Sequence, residues 1–168
     1  LNAAAGSTAG LKPDYLTSPA TTLAQFRSRH LLAMDGSQDQ LTPGGDGVSN
    51  LLKYAFNMIG TQENQRASLA APNRGTVAAA GSAGLPRVRV LPAGDQLEVT
   101  FIRRKAATQP GVVYTVQFSD SMASGSWLPN PAATEQVTSI DGVFERVTLS
   151  VPRSGDNKRF ARVKVSAE

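Results

Sequence analysis

Gln96-Leu97-Glu98-Val99-Thr100-Phe101-Ile102-Arg103-Arg104 opens with strict apolar–polar alternation, which puts Leu97, Val99 and Phe101 on one face of an extended strand. A helix would scatter these three side chains around its axis. The same two-residue period returns in Tyr114, Val116 and Phe118, in Val147, Leu149 and Val151, and in Ala161, Val163 and Val165. Candidate strands span 87–91, 96–104, 112–119, 134–138, 143–151 and 159–165. Turn residues stand between them: Pro92-Ala93-Gly94-Asp95, Gln109-Pro110-Gly111, Asp141-Gly142 and Ser154-Gly155-Asp156. Short alternating strands with regular turn punctuation predict a mostly β fold, an antiparallel β-sandwich over residues 85–168.

Upstream the period changes. Leu23, Phe26 and His30 with Leu31 recur at helical spacing behind Thr21 and Thr22, either of which can cap a short helix. Leu51 or Leu52, Ala55, Phe56 and Ile59 form one face of a second helix, for which Gly60 is the natural stop. A short helical segment over 21–60, two helices and a loop, therefore precedes the sandwich. Residues 1–20, with Pro13 and Pro19, read as a linker or arm, and 61–84 as a low-complexity linker or loop. The first ten residues have neither the basic nor the apolar region of a signal peptide, and the chain reads as a fragment of something larger.

Composition narrows the chemistry. The chain has no cysteine, which rules out disulfides, thiolate nucleophiles and Cys-based metal sites. No apolar run reaches the ~20 residues of a membrane span. The net charge of +4 comes mostly from residues after 84, but the single tight basic cluster, Arg103-Arg104-Lys105, falls at a strand end. It reads as a solvated hairpin tip, so no nucleic-acid partner is expected. His30 is the only histidine and has no carboxylate motif around it. Glu98, Asp120, Asp141 and Glu145 are scattered over strands and turns, unlike the paired carboxylates of a glycosidase. No nucleophile elbow, phosphate loop or zinc motif occurs, and the chain reads as non-catalytic.

One stretch carries a resemblance. Pro43-Gly44-Gly45-Asp46-Gly47-Val48-Ser49-Asn50-Leu51-Leu52-Lys53-Tyr54-Ala55-Phe56 resembles a "D-x-D-G-D-G-x-S-N-L-L-E-Y-A" segment found in C-terminal regions of large secreted proteins of soil and aquatic bacteria. Leu97 to Arg104, Tyr114 to Ser121 with Trp127, and Arg159 to Val163 resemble the strands that follow it in that family. The resemblance implies a secreted or cell-surface accessory module, covalently attached to the other domains of a larger parent protein.

It also implies a loop similar to the calcium loops of dockerins and EF-hands, with oxygens at positions 1, 3, 5, 7 and 9, glycine at 6 and a bidentate carboxylate at 12. With Gly47 as the glycine, the ligands are Asp46, the Val48 carbonyl and Asn50. Thr42 and Gly44 stand where oxygen ligands belong, and Lys53 stands in the place of the bidentate carboxylate. These departures predict a loop empty of metal and a protein without cofactor, in which Asp46 and Asn50 cap the following helix. Calcium would enter only if Asp35 or Asp39 reached in from upstream.

A non-catalytic β-module at such a position has two readings. The first is polysaccharide binding, of a plant-type glycan, through rings that stack on sugars and neighbouring side chains that bond hydroxyls. Alternation points Phe144 outward with Arg146, and Phe160 outward with Arg162. Trp127, in a Gly/Ser/Pro-flanked loop, reads first as a lid on the sandwich edge and second as a binding ring. Phe144 and Phe160 divide evenly between such a role and burial against the helical segment. Gln117 and Thr115 would add hydrogen bonds. The second reading is a structural, sorting or anchoring module.

Overall fold

The computed structural model describes residues 20–59, 69–153 and 159–168. The fold is mostly β. Two short helices, α1 (Leu23–Arg29) and α2 (Asn50–Ala55), precede six strands: β1 (Arg87–Val90), β2 (Gln96–Arg104), β3 (Val112–Ser119), β4 (Thr134–Ser139), β5 (Phe144–Pro152) and β6 (Phe160–Ala167). They form two antiparallel sheets, one in the order β1-β2-β5-β4 and one of β3-β6. No helix among the described residues is long and apolar enough to cross a membrane.

The alternation that marks the strands also sets their register. Leu97, Val99 and Phe101 stand opposite Val151, Leu149 and Val147. Tyr114, Val116 and Phe118 stand opposite Val165, Val163 and Ala161. These two apolar faces meet, and Val48, Phe56 and Met58 of the helical segment join the same cluster. Each fully buried Leu, Val or Phe contributes roughly 1.5–3 kcal/mol, so the helical segment and the sandwich are held by one continuous core. The four-stranded sheet is wider than its partner. Val88 and Val90, on the inner side of edge strand β1, stay 43% and 47% exposed for that reason.

The helix ends differ from the sequence expectation in two places. Thr22 caps α1 as expected, accepting from the Gln25 amide. At α2 the cap is Ser49, which accepts from Leu52, and not Asp46 or Asn50. Asn50 is already helical, and its Nδ2 donates to the Gln38 carbonyl. The helix also stops at Ala55, well before Gly60. Asn57 takes a left-handed conformation (φ 55°) and the Met58 amide turns back to the Lys53 carbonyl at 2.8 Å. Asparagine tolerates that region better than most side chains, so it closes the helix without a glycine.

Of the stretch 61–84, the described residues from 69 onward form a loop that packs down. Leu69 and Val77 are buried, and Thr76 bridges to Leu85. This loop lies over part of the fold that strand alternation alone would leave open.

Candidate functional site

The loop before α2 is built around an internal ion pair. Lys53 Nζ lies 3.1 Å from Asp46 Oδ2, and the two side chains are 0% and 1% exposed. The same ammonium donates to the carbonyls of Leu69 (2.7 Å) and Ala71 (3.1 Å), so its three N–H bonds meet three oxygens. Asp46 is equally committed. Its Oδ1 accepts from the Val48 amide at 2.9 Å and its Oδ2 from the Asn73 amide at 2.8 Å. The Asn73 amide, then the Val48 amide and Lys53, hold the Asp46 carboxyl well below the usual carboxylate range, against the opposing effect of burial. A Cβ at Gly44 would come within 3.0 Å of Lys53 Nζ and 3.1 Å of Asp46 Oδ2, so the chain passes close over the pair.

These residues do not fit a calcium ion. Calcium takes six to eight oxygens, whereas here an ammonium carrying its own positive charge sits against the one carboxylate. Asp46 is already taken up by the Val48 amide, and Asn50 donates through Nδ2 to the Gln38 carbonyl, which leaves its Oδ1 as a lone buried oxygen, far short of a calcium shell. The two upstream acids are committed elsewhere. Asp39 clamps Arg27 through both oxygens, at 3.0 and 2.6 Å, and Asp35 accepts from the Ser37 amide. Thermal melts in calcium and in chelator are therefore expected to agree within about a degree. A rise of several degrees with calcium would show that other oxygens complete a metal site.

The second arrangement is on the outer face of the β3–β6 sheet. Thr115 and Gln117 on β3 stand opposite Lys164 and Arg162 on β6, all pointing away from the core. Arg162 Nε donates to Gln117 Oε1 at 3.0 Å, and its guanidinium lies 4.4 Å from the centre of the Trp127 ring. Trp127 is held there because Leu128 exchanges backbone hydrogen bonds with Phe118, at 2.8 and 3.0 Å, along the free side of β3. The ring remains partly exposed. Phe160 is half-buried opposite Ser119, two residues from Arg162 and on the same side of β6. Five of the seven sequence candidates, Trp127, Phe160, Arg162, Gln117 and Thr115, thus share one face.

No protein-family model, curated protein or solved structure matches the chain.

Phe144 and Arg146 do not belong to that face. They lie on β5, in the other sheet, and Phe144 is 0% exposed in a cluster with Val77 and Ile102. Alternation does turn Phe144 away from Val147, but the packed loop that carries Val77 covers that side. The Arg104 guanidinium lies 4.5 Å from the Phe144 ring centre. Arg146 donates to the Gly81 carbonyl and so fastens the same loop. Both are structural.

The basic cluster is not a solvated tip either. Arg103 pairs with Glu145 at 2.7 Å and with Glu135 at 3.1 Å. Lys105 donates to Ser139 Oγ and to the Asp141 carbonyl. Arg104 is buried, 3.6 Å from the Tyr54 ring centre, donating to the carbonyls of Tyr54 (3.0 Å) and Ala20 (2.6 Å). Burial lowers its pKa from the ordinary arginine value. No ion pair among the described residues includes it, and the two rings and two carbonyls stabilise its charge instead. Tyr54 donates to the Pro110 carbonyl and Tyr114 to the Ala55 carbonyl, and burial pushes both phenols up to about 12. These bonds tie the helices to the sandwich. His30 is buried with its ring 4.6 Å from that of Phe26.

Sequence alternation already sets Lys164 on the same side of the last strand as Phe160 and Arg162, but did not count it among the binding residues. It had no means of finding the carbonyls of Leu69 and Ala71 around Lys53.

Proposed function

We propose that the chain is a non-catalytic accessory module of a secreted bacterial protein and binds a polysaccharide through the outer face of the β3–β6 sheet. The observation that carries the reading is Trp127, a partly exposed ring fixed on a strand face by Arg162, which is itself fixed by Gln117. A ring and hydrogen-bonding groups already in position lose little freedom on binding, and each side chain left unordered would cost about 0.5–1.5 kcal/mol. Thr115 adds a hydroxyl on the same face. Attachment to further domains and a location outside the cell follow from the motif resemblance.

Retention on a panel of insoluble and soluble plant-type polysaccharides tests this. Trp127→Ala is expected to weaken retention at least tenfold while the melting temperature stays within a few degrees of wild type. The second reading, an anchoring or structural module, draws on the rings. Phe26, Tyr54, Phe56, Phe101, Phe118 and Phe144 are all buried, which leaves Trp127 and Phe160 as the partly exposed rings of the outer β3–β6 face. If the wild-type chain is retained by no glycan, that reading replaces the first.

A further inference from the structure

Charge on the same face points to the kind of glycan, an inference that rests on the polysaccharide reading above. Arg162 and Lys164 are both exposed and stand two residues apart on β6, about 7 Å along the strand. Neither forms an ion pair among the described residues. Their cross-strand neighbours, Gln117 and Thr115, are neutral. This differs from the other exposed strand positions. On the four-stranded sheet Arg89 pairs with Glu98 and Arg103 with Glu135 and Glu145, while Arg104 and Arg146 are turned to backbone carbonyls. At one end of the β3–β6 face, Asp120 is held by Arg159 at 3.3 Å. At the other, Glu168 stands four residues beyond Lys164, about 13 Å along the strand. Between them lie two unmatched cations beside a ring.

Arg162 is also shaped for an anion. Its Nε bonds Gln117 and its Cζ lies over the Trp127 ring, which fixes the guanidinium. A guanidinium fixed in this way presents a planar fork that fits a carboxylate or sulfate through paired hydrogen bonds. Lys164, for which no hydrogen bond is present among the described residues, supplies a second point charge for the next acidic group along a chain.

We propose that the β3–β6 face binds an acidic polysaccharide, one bearing carboxylate or sulfate groups on successive sugars, with Trp127 stacking on a ring while Arg162 and Lys164 take the anionic groups.

Binding is measured for polygalacturonate, its fully methyl-esterified form, a sulfated galactan, a neutral dextran, duplex DNA and vesicles containing phosphatidylserine. Polygalacturonate or the sulfated galactan is expected to bind, and which of the two binds more tightly identifies the anionic group. Affinity should fall at least tenfold between 50 and 300 mM NaCl, because exposed charges are screened over that range. Lys164→Gln removes a charge that has no bond among the described residues and should lower affinity roughly tenfold with an unchanged melt. Arg162→Gln should lower it further and flatten the salt dependence.

Equal binding of the esterified polymer, or salt-independent retention that Trp127→Ala still abolishes, would overturn the acidic-ligand inference and leave the polysaccharide reading standing. DNA or vesicles bound as tightly through Arg162 and Lys164 would overturn it in favour of a general polyanion surface. Retention of no glycan at all removes both readings together.

Discussion

Replacing Lys53 with methionine is expected to lower unfolding free energy by about 3–5 kcal/mol, measured by urea denaturation at pH 7. The methionine side chain fills a similar volume, so the loss is electrostatic. Asp46 would remain ionised, 1% exposed and without its counter-ion, while the carbonyls of Leu69 and Ala71 lose their donor. The loop from 43 to 49, α2 and the stretch 69–73 converge on this pair, so the effect should reach the whole helical segment. A loss under about 1 kcal/mol would mean that water or a neighbouring group replaces the ammonium at little cost.

The pair also has a pH signature. The folded-state pKa of Asp46 lies below its ordinary value of 3.8. Its stabilising contribution is therefore fully present above that value and is lost as pH falls towards the folded-state pKa. The stability gap between wild type and Asp46→Asn should be constant from pH 7 to 5 and narrow below about pH 4.

The second large effect is expected at Phe144. Truncation to alanine should cost about 3–5 kcal/mol, because the ring is 0% exposed and the surrounding groups belong to different elements. Ile102 comes from β2 and Val77 from the packed loop, so they cannot close together over the space. The ring also flanks the Arg104 guanidinium, whose burial depends on aromatic faces in the absence of a carboxylate among its described contacts. Thermal and denaturant unfolding of Phe144→Ala should show the loss, beside a nearly unaltered Trp127→Ala. A Phe144→Ala protein that melts like wild type would mean that the outer side of β5 is open, and would restore Phe144 as a binding ring.

Phe144 and Trp127 also show how far sequence reaches here. Alternation correctly assigns each strand residue to one of two sides, since successive side chains of a strand point in opposite directions. It also predicts register, because apolar faces must pair to be buried together. Leu97 opposite Val151 and Tyr114 opposite Val165 follow from that rule. Alternation carries no information on what covers the second side. Phe144 and Phe160 look equivalent in sequence, each an outward ring followed two residues later by an arginine. One is sealed by a loop from residues 69–85, and the other remains half-buried at the surface.

The same division holds for the charges. Sequence alone determined that a lysine stands where a calcium loop needs its strongest carboxylate, and from that the expectation of a loop without metal. Only the tertiary structure decided where that ammonium goes. Its partners Leu69 and Ala71 are backbone carbonyls 16 and 18 residues away, which any residue type could supply. Arg103, Arg104 and Lys105 make the point again. They are consecutive and chemically alike, yet one pairs with glutamates across the sheet, one is buried between rings and one reaches a turn. Local patterning is set by the period of the strand, and it is legible. The burial of a charge depends on which distant backbone passes over it, and that is settled only when the loops pack.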